Sequence, residues 1–333
     1  MHQEHAPLVT DAVENVAELA DRVLDSPTMR AVSFAEFGSA PAITELPVPQ
    51  PGSGEVLVRV QASSINGFDL GVLGGFLQGV YEYEFPVVLG KDFAGVVAGV
   101  GEGVTRVNEG DQVFGVVIRP TLGQGAFSEY AVVSEQHGIA RRPTQLDHTR
   151  AGALGLAGTA ALNAVDAVSP QRGETILISG ATGGVGSYAI QLAAARGATV
   201  IATARPGAEA AFVTGLGATW TVDPDHLVAQ VKAIAPSGVD SALHLAGDGD
   251  SIAELLPAGG RLASTRHYEP TRSTLVATDI MADPTPETLS RLAAEVIEGR
   301  LRVPLAKAYP LTEAASALTD FTTGTVGKLA ITI

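Results

Sequence analysis

One stretch constrains the fold more than any other. Ser179-Gly180-Ala181-Thr182-Gly183-Gly184-Val185-Gly186 follows a short apolar strand, Thr175–Ser179, and opens a helix running to Arg196. Without side chains, Gly183 and Gly184 let the backbone approach a bulky anion, and Gly186 lets the helix pack closely on the strand. Amide groups at the helix start face outward, reinforced by the helix dipole, so Gly180 to Gly186 read as a pyrophosphate cradle. A glycine fingerprint alone is a weak signal; set between strand and helix it becomes strong. The first fingerprint glycine is Ala181. The alternative is a tight turn that binds nothing.

The following strand, Thr199–Thr203, bears on which dinucleotide fits. Folds that bind NAD carry an acid about 20 residues on, which holds the ribose 2′-hydroxyl. The expected position is Ala204, followed by Arg205. No carboxylate at 204 repels a 2′-phosphate, and the Arg205 guanidinium is suited to clamp one, with Thr203 adding a hydroxyl. The reading is NADPH; the alternative is that Arg205 is an ordinary surface charge.

The rest of the chain falls into segments. Residues 1–28 read as a tail and a helix, Asp11–Asp25, and form an extension. Residues 29–150 carry short strands at Arg30–Phe34, Glu55–Val60, Phe93–Gly99, Gln112–Val116 and Phe127–Val133, separated by Gly- and Pro-rich turns, as in an all-β barrel-like domain. From 151 to 282 strands alternate with helices: an Ala-rich helix Ala151–Val168, then strands Thr175–Ser179, Thr199–Thr203, Trp220–Val222, Ser241–Leu245, Arg261–Ser264 and Ser273–Thr278. That rhythm predicts an α/β, doubly wound parallel sheet of Rossmann type. Leu245, Ala246 and Gly247, at a strand end, are expected to line the cofactor groove. Residues 283–333 carry a capped helix, Thr285–Gly299, a strand Val303–Tyr309, a helix Thr312–Phe321 and a closing strand Lys328–Ile333.

Composition narrows the chemistry. The net charge of −15 disfavours nucleic acid and anionic membranes as partners. With no cysteine among 333 residues, thiolate nucleophiles, disulfides and cysteine-ligated zinc are excluded. No apolar run approaches the roughly 18 residues of a membrane span. The acidic N-terminus lacks a signal-peptide layout, so a cytoplasmic protein acting on a small molecule is expected.

These residues resemble the zinc-independent branch of the medium-chain dehydrogenase/reductase superfamily, the quinone oxidoreductase-like proteins. The stretch Gly180–Thr203 is similar to that family's cofactor signature. Met29–Val32 resembles its usual start, Ile65–Asp69 its Asn-x-x-Asp element, and Phe85–Gly95 its Gly-His-Glu-type segment. Asn108–Val113 resembles its "G-D-x-V" turn and Gly324–Ile333 its closing "G-K" strand. The resemblance implies a GroES-like β-rich catalytic domain built from both ends of the chain, a Rossmann domain inserted between, and a cofactor in the cleft. It implies a homodimer whose edge strand Ser273–Thr278 pairs with its symmetry mate. In zinc-using relatives a Cys and a His-Glu pair surround the reacting carbonyl; here Asn66, Lys91 and Asp92 stand in those places. The Lys and Tyr that many NADPH-using relatives place near the adenosine phosphate are replaced by Ala208 and Pro224.

The resemblance also suggests catalytic roles. Asn66 is a candidate to hydrogen-bond the ribose, the nicotinamide amide or the substrate carbonyl, or to be structural. Lys91 is a candidate donor to substrate oxygen, or a solvated charge. Thr159 resembles the position that meets the nicotinamide, or it packs inside its helix. Tyr83, with Tyr81, is a candidate proton donor or a pocket wall; Asp69 ties its own loop, and His267 lies at the cleft edge. The implied activity is zinc-independent, NADPH-dependent reduction of a quinone or activated alkene. The same signatures would serve an enoyl or ketone reductase of a biosynthetic pathway, or a cofactor-binding protein without turnover.

Overall fold

A computed structural model describes residues 27–271 and 274–333 of the chain. The helix expected at Asp11–Asp25 and the start of the strand expected at Ser273 lie outside them.

The central sheet is six strands, all parallel, in the spatial order 220–222, 199–203, 175–178, 241–244, 261–264, 276–279. In chain order this is 3-2-1-4-5-6, so the chain reverses direction across the sheet between the first and fourth strands. A cleft opens there beyond the carboxyl ends of the strands. Burial on both faces explains the nearly continuous apolar runs Ile176–Ile178 and Val200–Ala202. Helices Gly155–Val168 and Gly184–Ala195 cover one face, joining Ile176, Ile178, Tyr188 and Leu243 in one apolar cluster. Leu177, Ile201, Val231 and Leu262 form the cluster on the other face.

The second body is a barrel-like sheet with the strand order 139–141, 112–116, 92–100, 55–64, 328–332, 305–310, with 130–134 also paired to 55–64. The last strand, Lys328–Thr332, lies antiparallel to Glu55–Ser64, with Ala330 opposite Ser64. The two ends of the chain thus share one sheet, which delivers Gly327 and Lys328 to the foot of the glycine loop.

Two expectations are corrected. The Ala-rich helix is not continuous from Ala151: a short helix, His148–Ala151, ends at Gly152, and the long one starts at Gly155. A Cβ on Gly152 would lie 2.8 Å from the Ala62 carbonyl oxygen, so the chain breaks where it presses on the barrel strand. The sixth strand runs Val276–Asp279, with Thr274 and Leu275 outside it.

Candidate functional site

A cleft of about 540 Å³ lies at the strand-order reversal, lined by Gly180, Thr182, Arg205 and Gly247 among others. The glycine loop forms its floor. Gly180 has φ +63°, a conformation that favours glycine. A Cβ on Gly186 would stand 2.3 Å from the Gly180 carbonyl oxygen, so only glycine lets the helix start this close to the turn. The first amides of helix Gly184–Ala195 have no carbonyl one turn back to bond, and they suit an anion. Ser179 braces the opposite wall: its hydroxyl donates to the Leu243 carbonyl and accepts from the amides of Leu245 and Ala246, at 3.0 and 3.3 Å. These residues fit the pyrophosphate of a dinucleotide.

At the far rim, Thr203 and Arg205 face the cleft and Ala204 between them does not. Ala204 is buried in the core, and its amide bonds the Val222 carbonyl at 2.9 Å. The Thr203 hydroxyl is 3.5 Å from both the Ala181 amide and the Ile178 carbonyl. The Arg205 side chain is 63% exposed and pairs with Glu209 at 3.5 Å. The Glu209 carboxylate also accepts the Arg205 amide at 2.8 Å and lines the cleft with Pro224, Asp225, His226 and Asp248. The Glu209 carboxylate lies five residues beyond position 204, where the sequence pattern places the acid of NAD-binding folds. Its signal in the sequence is an acid in the first turn of the next helix, where a carboxylate favours the helix start.

Beneath the glycine loop a buried polar cluster joins the two bodies. The Lys328 ammonium donates to Asn66 Oδ1 at 2.6 Å and to the Ile65 carbonyl at 3.0 Å, and stands 3.5 Å from Asp92. Asn66 Nδ2 donates to Asp92 at 2.8 Å and contacts the Ser64 carbonyl at 3.3 Å. Asp92 also accepts from the Ser64 hydroxyl and, through its other oxygen, from the Leu156 amide. Both amide protons of Asn66 are therefore engaged inside the protein. Above the cluster, Gly327 donates to the Thr182 carbonyl at 2.8 Å. The Lys328 stem passes so near Gly184 that a Cβ there would be 2.8 Å away. Thr159 lies one helical turn beyond Gly155, itself pressed against Asp92. The Thr159 hydroxyl is buried and has no hydrogen-bond partner among the described residues.

Lys91 is buried, donates to the Val117 carbonyl at 3.0 Å, and holds its ammonium 5.0 Å from the centre of the Phe68 ring. Burial pulls its pKa down to about 8, while the charge of Asp69 opposes the fall. Burial lifts Asp69 to about 6, against the hydrogen bond it accepts from the Asn66 amide. Asp69 also accepts from the Gly90 amide, tying the loops that carry Asn66 and Lys91 together. Tyr83 donates to the Val72 carbonyl at 3.3 Å and sits among Phe37 and Phe85, an aromatic wall. His267 points to solvent and pairs with Asp279, away from the cleft. Among the described residues, no group of three or more His, Cys, Asp or Glu is placed to hold a metal ion.

The arrangement defines a class, the nicotinamide-dependent oxidoreductases that join a GroES-like body to a Rossmann sheet. Residues 52–144 match the alcohol dehydrogenase GroES-like domain, and residues 184–265 match the family described as zinc-binding dehydrogenase. A chloroplast envelope quinone oxidoreductase homolog of Arabidopsis thaliana is 29% identical over 314 residues, 87% of this chain and 93% of that protein. The chloroplastic quinone-oxidoreductase QR1 of Triphysaria versicolor is 32% identical over 232 residues, 66% of this chain and 68% of the relative. The solved structure of the quinone oxidoreductase from Coxiella burnetii superposes with a TM-score of 0.82 at 28% identity, covering 92% of this chain and all of that one. The chain belongs to the medium-chain dehydrogenase/reductase superfamily, among its quinone-oxidoreductase-like members. The Rossmann domain of this family binds a nicotinamide cofactor, and its members act on small molecules. No helix among the described residues is long and apolar enough to cross a membrane.

Proposed function

We propose that this chain is an NADPH-dependent oxidoreductase that delivers hydride, without zinc, to a quinone or an α,β-unsaturated carbonyl. The observation that carries the reading is the set of residue types at the positions that hold zinc in zinc-using relatives. Asn66, Lys91 and Asp92 stand in the places where the resemblance puts the zinc-binding Cys and His-Glu pair, and an amide beside an ammonium does not suit zinc. The quinone-oxidoreductase relatives support the substrate class. Arg205, solvent-accessible at the cleft rim, supports the phosphorylated cofactor.

When bound, the nicotinamide supplies the hydride. The glycine-loop amides and Arg205 would hold the dinucleotide's phosphates, and the Thr159 hydroxyl would be available to it at the buried end. Lys91 donates a hydrogen bond to the substrate oxygen as negative charge builds there, and a water or tyrosine returns the proton. A saturated ketone concentrates that charge on one oxygen, and a Lewis acid is one strong way to stabilise it. A quinone or enone spreads it through its own π-system, so one or two hydrogen bonds suffice. The working protein is read as a cytoplasmic homodimer. The test is steady-state turnover of a quinone, an enone, a saturated ketone and a primary alcohol at matched concentration. The quinone or enone with NADPH is expected to turn over fastest; fastest turnover of the alcohol with NADP⁺ would overturn the reading.

A further inference from the structure

We infer that Glu209 is a specificity-determining residue that holds down the preference for NADPH over NADH. The inference rests on the proposed function's placing of a dinucleotide in the cleft with its adenosine ribose at Arg205. The rim there is not simply basic. Arg205 is the one Lys or Arg among the residues lining the cleft, and Glu209, Asp225 and Asp248 line it with three carboxylates. Asp248 is fixed by accepting from the Ser251 amide and hydroxyl, at 2.9 and 2.6 Å, and those bonds hold it below the usual carboxylate range. Glu209 differs from the other two because it is bound to the clamp itself. One oxygen takes the Arg205 amide at 2.8 Å; the other pairs with the guanidinium at 3.5 Å.

Two consequences follow from charge. A 2′-phosphate must share the Arg205 guanidinium with Glu209, and it must sit beside the Glu209 carboxylate. A 2′-hydroxyl meets neither cost. Glu209 therefore weakens NADPH and leaves NADH nearly untouched, so the cleft accepts both. The geometry is set locally: Glu209 sits in the first turn of helix Ala208–Gly215, where a carboxylate favours the helix start, and its chain folds back over the loop. The acid missing at position 204 is thus replaced in charge, though not in position, by one five residues on.

The experiment measures binding rather than turnover. NADPH and NADH are titrated into wild type, Glu209→Gln and Arg205→Ala, following bound-nicotinamide fluorescence or heat. Gln keeps an oxygen for the Arg205 amide, so the loop retains its fold. Glu209→Gln is expected to tighten NADPH about fivefold, the scale of ~1 kcal/mol for a partly exposed charge pair, with NADH within twofold. The gain should shrink as salt is raised. An NADPH-to-NADH affinity ratio unchanged within twofold overturns the inference, as does a loss confined to NADH, which would make the carboxylate a hydroxyl acceptor. Arg205→Ala judges the underlying reading separately. Selective loss of NADPH there upholds it whatever Glu209→Gln does, and equal losses of both cofactors reject it.

Discussion

At the scale of single residues, Lys91 carries the sharpest conflict between stability and chemistry. Its ammonium is buried against Phe68, with one carbonyl as its hydrogen-bond partner. A folded-state pKa depressed to about 8 from 10.5 means that the charged form is disfavoured by folding. The stability it gives back is present above the unfolded value and lost as pH falls through about 8. Hydrogen-bond donation to substrate needs the same charged form. Lys91→Met is therefore expected to raise the melting temperature at pH 7, by on the order of 1 kcal/mol of stability, a gain that fades between pH 8 and 10.5. It is also expected to cost about 10²-fold in kcat/KM. In wild type kcat/KM should fall as pH rises through about 8, and in the variant that limb should be absent. A pH profile of turnover beside melting curves at pH 7 and 10.5 checks both halves; an unchanged alkaline limb in Lys91→Met removes Lys91 from the chemistry.

At the scale of elements, the closing strand and the glycine loop act as one piece. Lys328 stands in a cluster with Asp92 and Asn66, and Asp92 is fully buried. Removing one partner of such a pair strands the other, at about 3–5 kcal/mol, whereas removing both charges can be nearly neutral. Lys328→Met should lose stability on that scale in denaturant titration, and Lys328→Met with Asp92→Asn should recover most of it. Full additivity of the two losses would show that the pair is not coupled. The elements themselves were largely legible in the sequence. Gln112–Val116, Thr199–Thr203, Trp220–Val222 and Arg261–Ser264 have the ranges that apolar runs and turn residues marked out. The break at Gly152 was not, because it depends on a backbone contact with Ala62, a neighbour far away in sequence. The same holds for the site. The glycine loop announces itself within eight residues. The Lys328–Asn66 bond joins positions 262 apart, so no local pattern encodes it. Asn66 shows the cost of that: the resemblance of Ile65–Asp69 to a family element leaves a ligand-facing and a structural amide both open, and only the fold shows both of its protons engaged.

At the scale of the whole molecule, no strand among the described residues pairs with the outer edge of Val276–Asp279. Val276 is 59% exposed on that edge and Met281, just beyond it, 62%. The amides of Val276 and Ile280 bond inward to Gly260 and Ser264, so by alternation those of Ala277 and Asp279 face away from the sheet. An unpaired edge carrying apolar side chains is covered in most native proteins, and a two-fold axis beside it would pair the strand with its own copy. The proposed dimer then makes a specific demand. Ala277→Pro deletes an outward amide and none of the inward bonds, so it should leave the Rossmann fold and cofactor affinity in place while breaking the dimer. Charge adds a second signature. Each chain carries −15, so association brings like charges together and should tighten as salt screens them. Light scattering at micromolar concentration is expected to give a dimer for wild type, a tighter one at higher salt, and a monomer for Ala277→Pro. A wild-type monomer, or a proline variant that stays dimeric, would place the subunit contact elsewhere on the molecule or remove it.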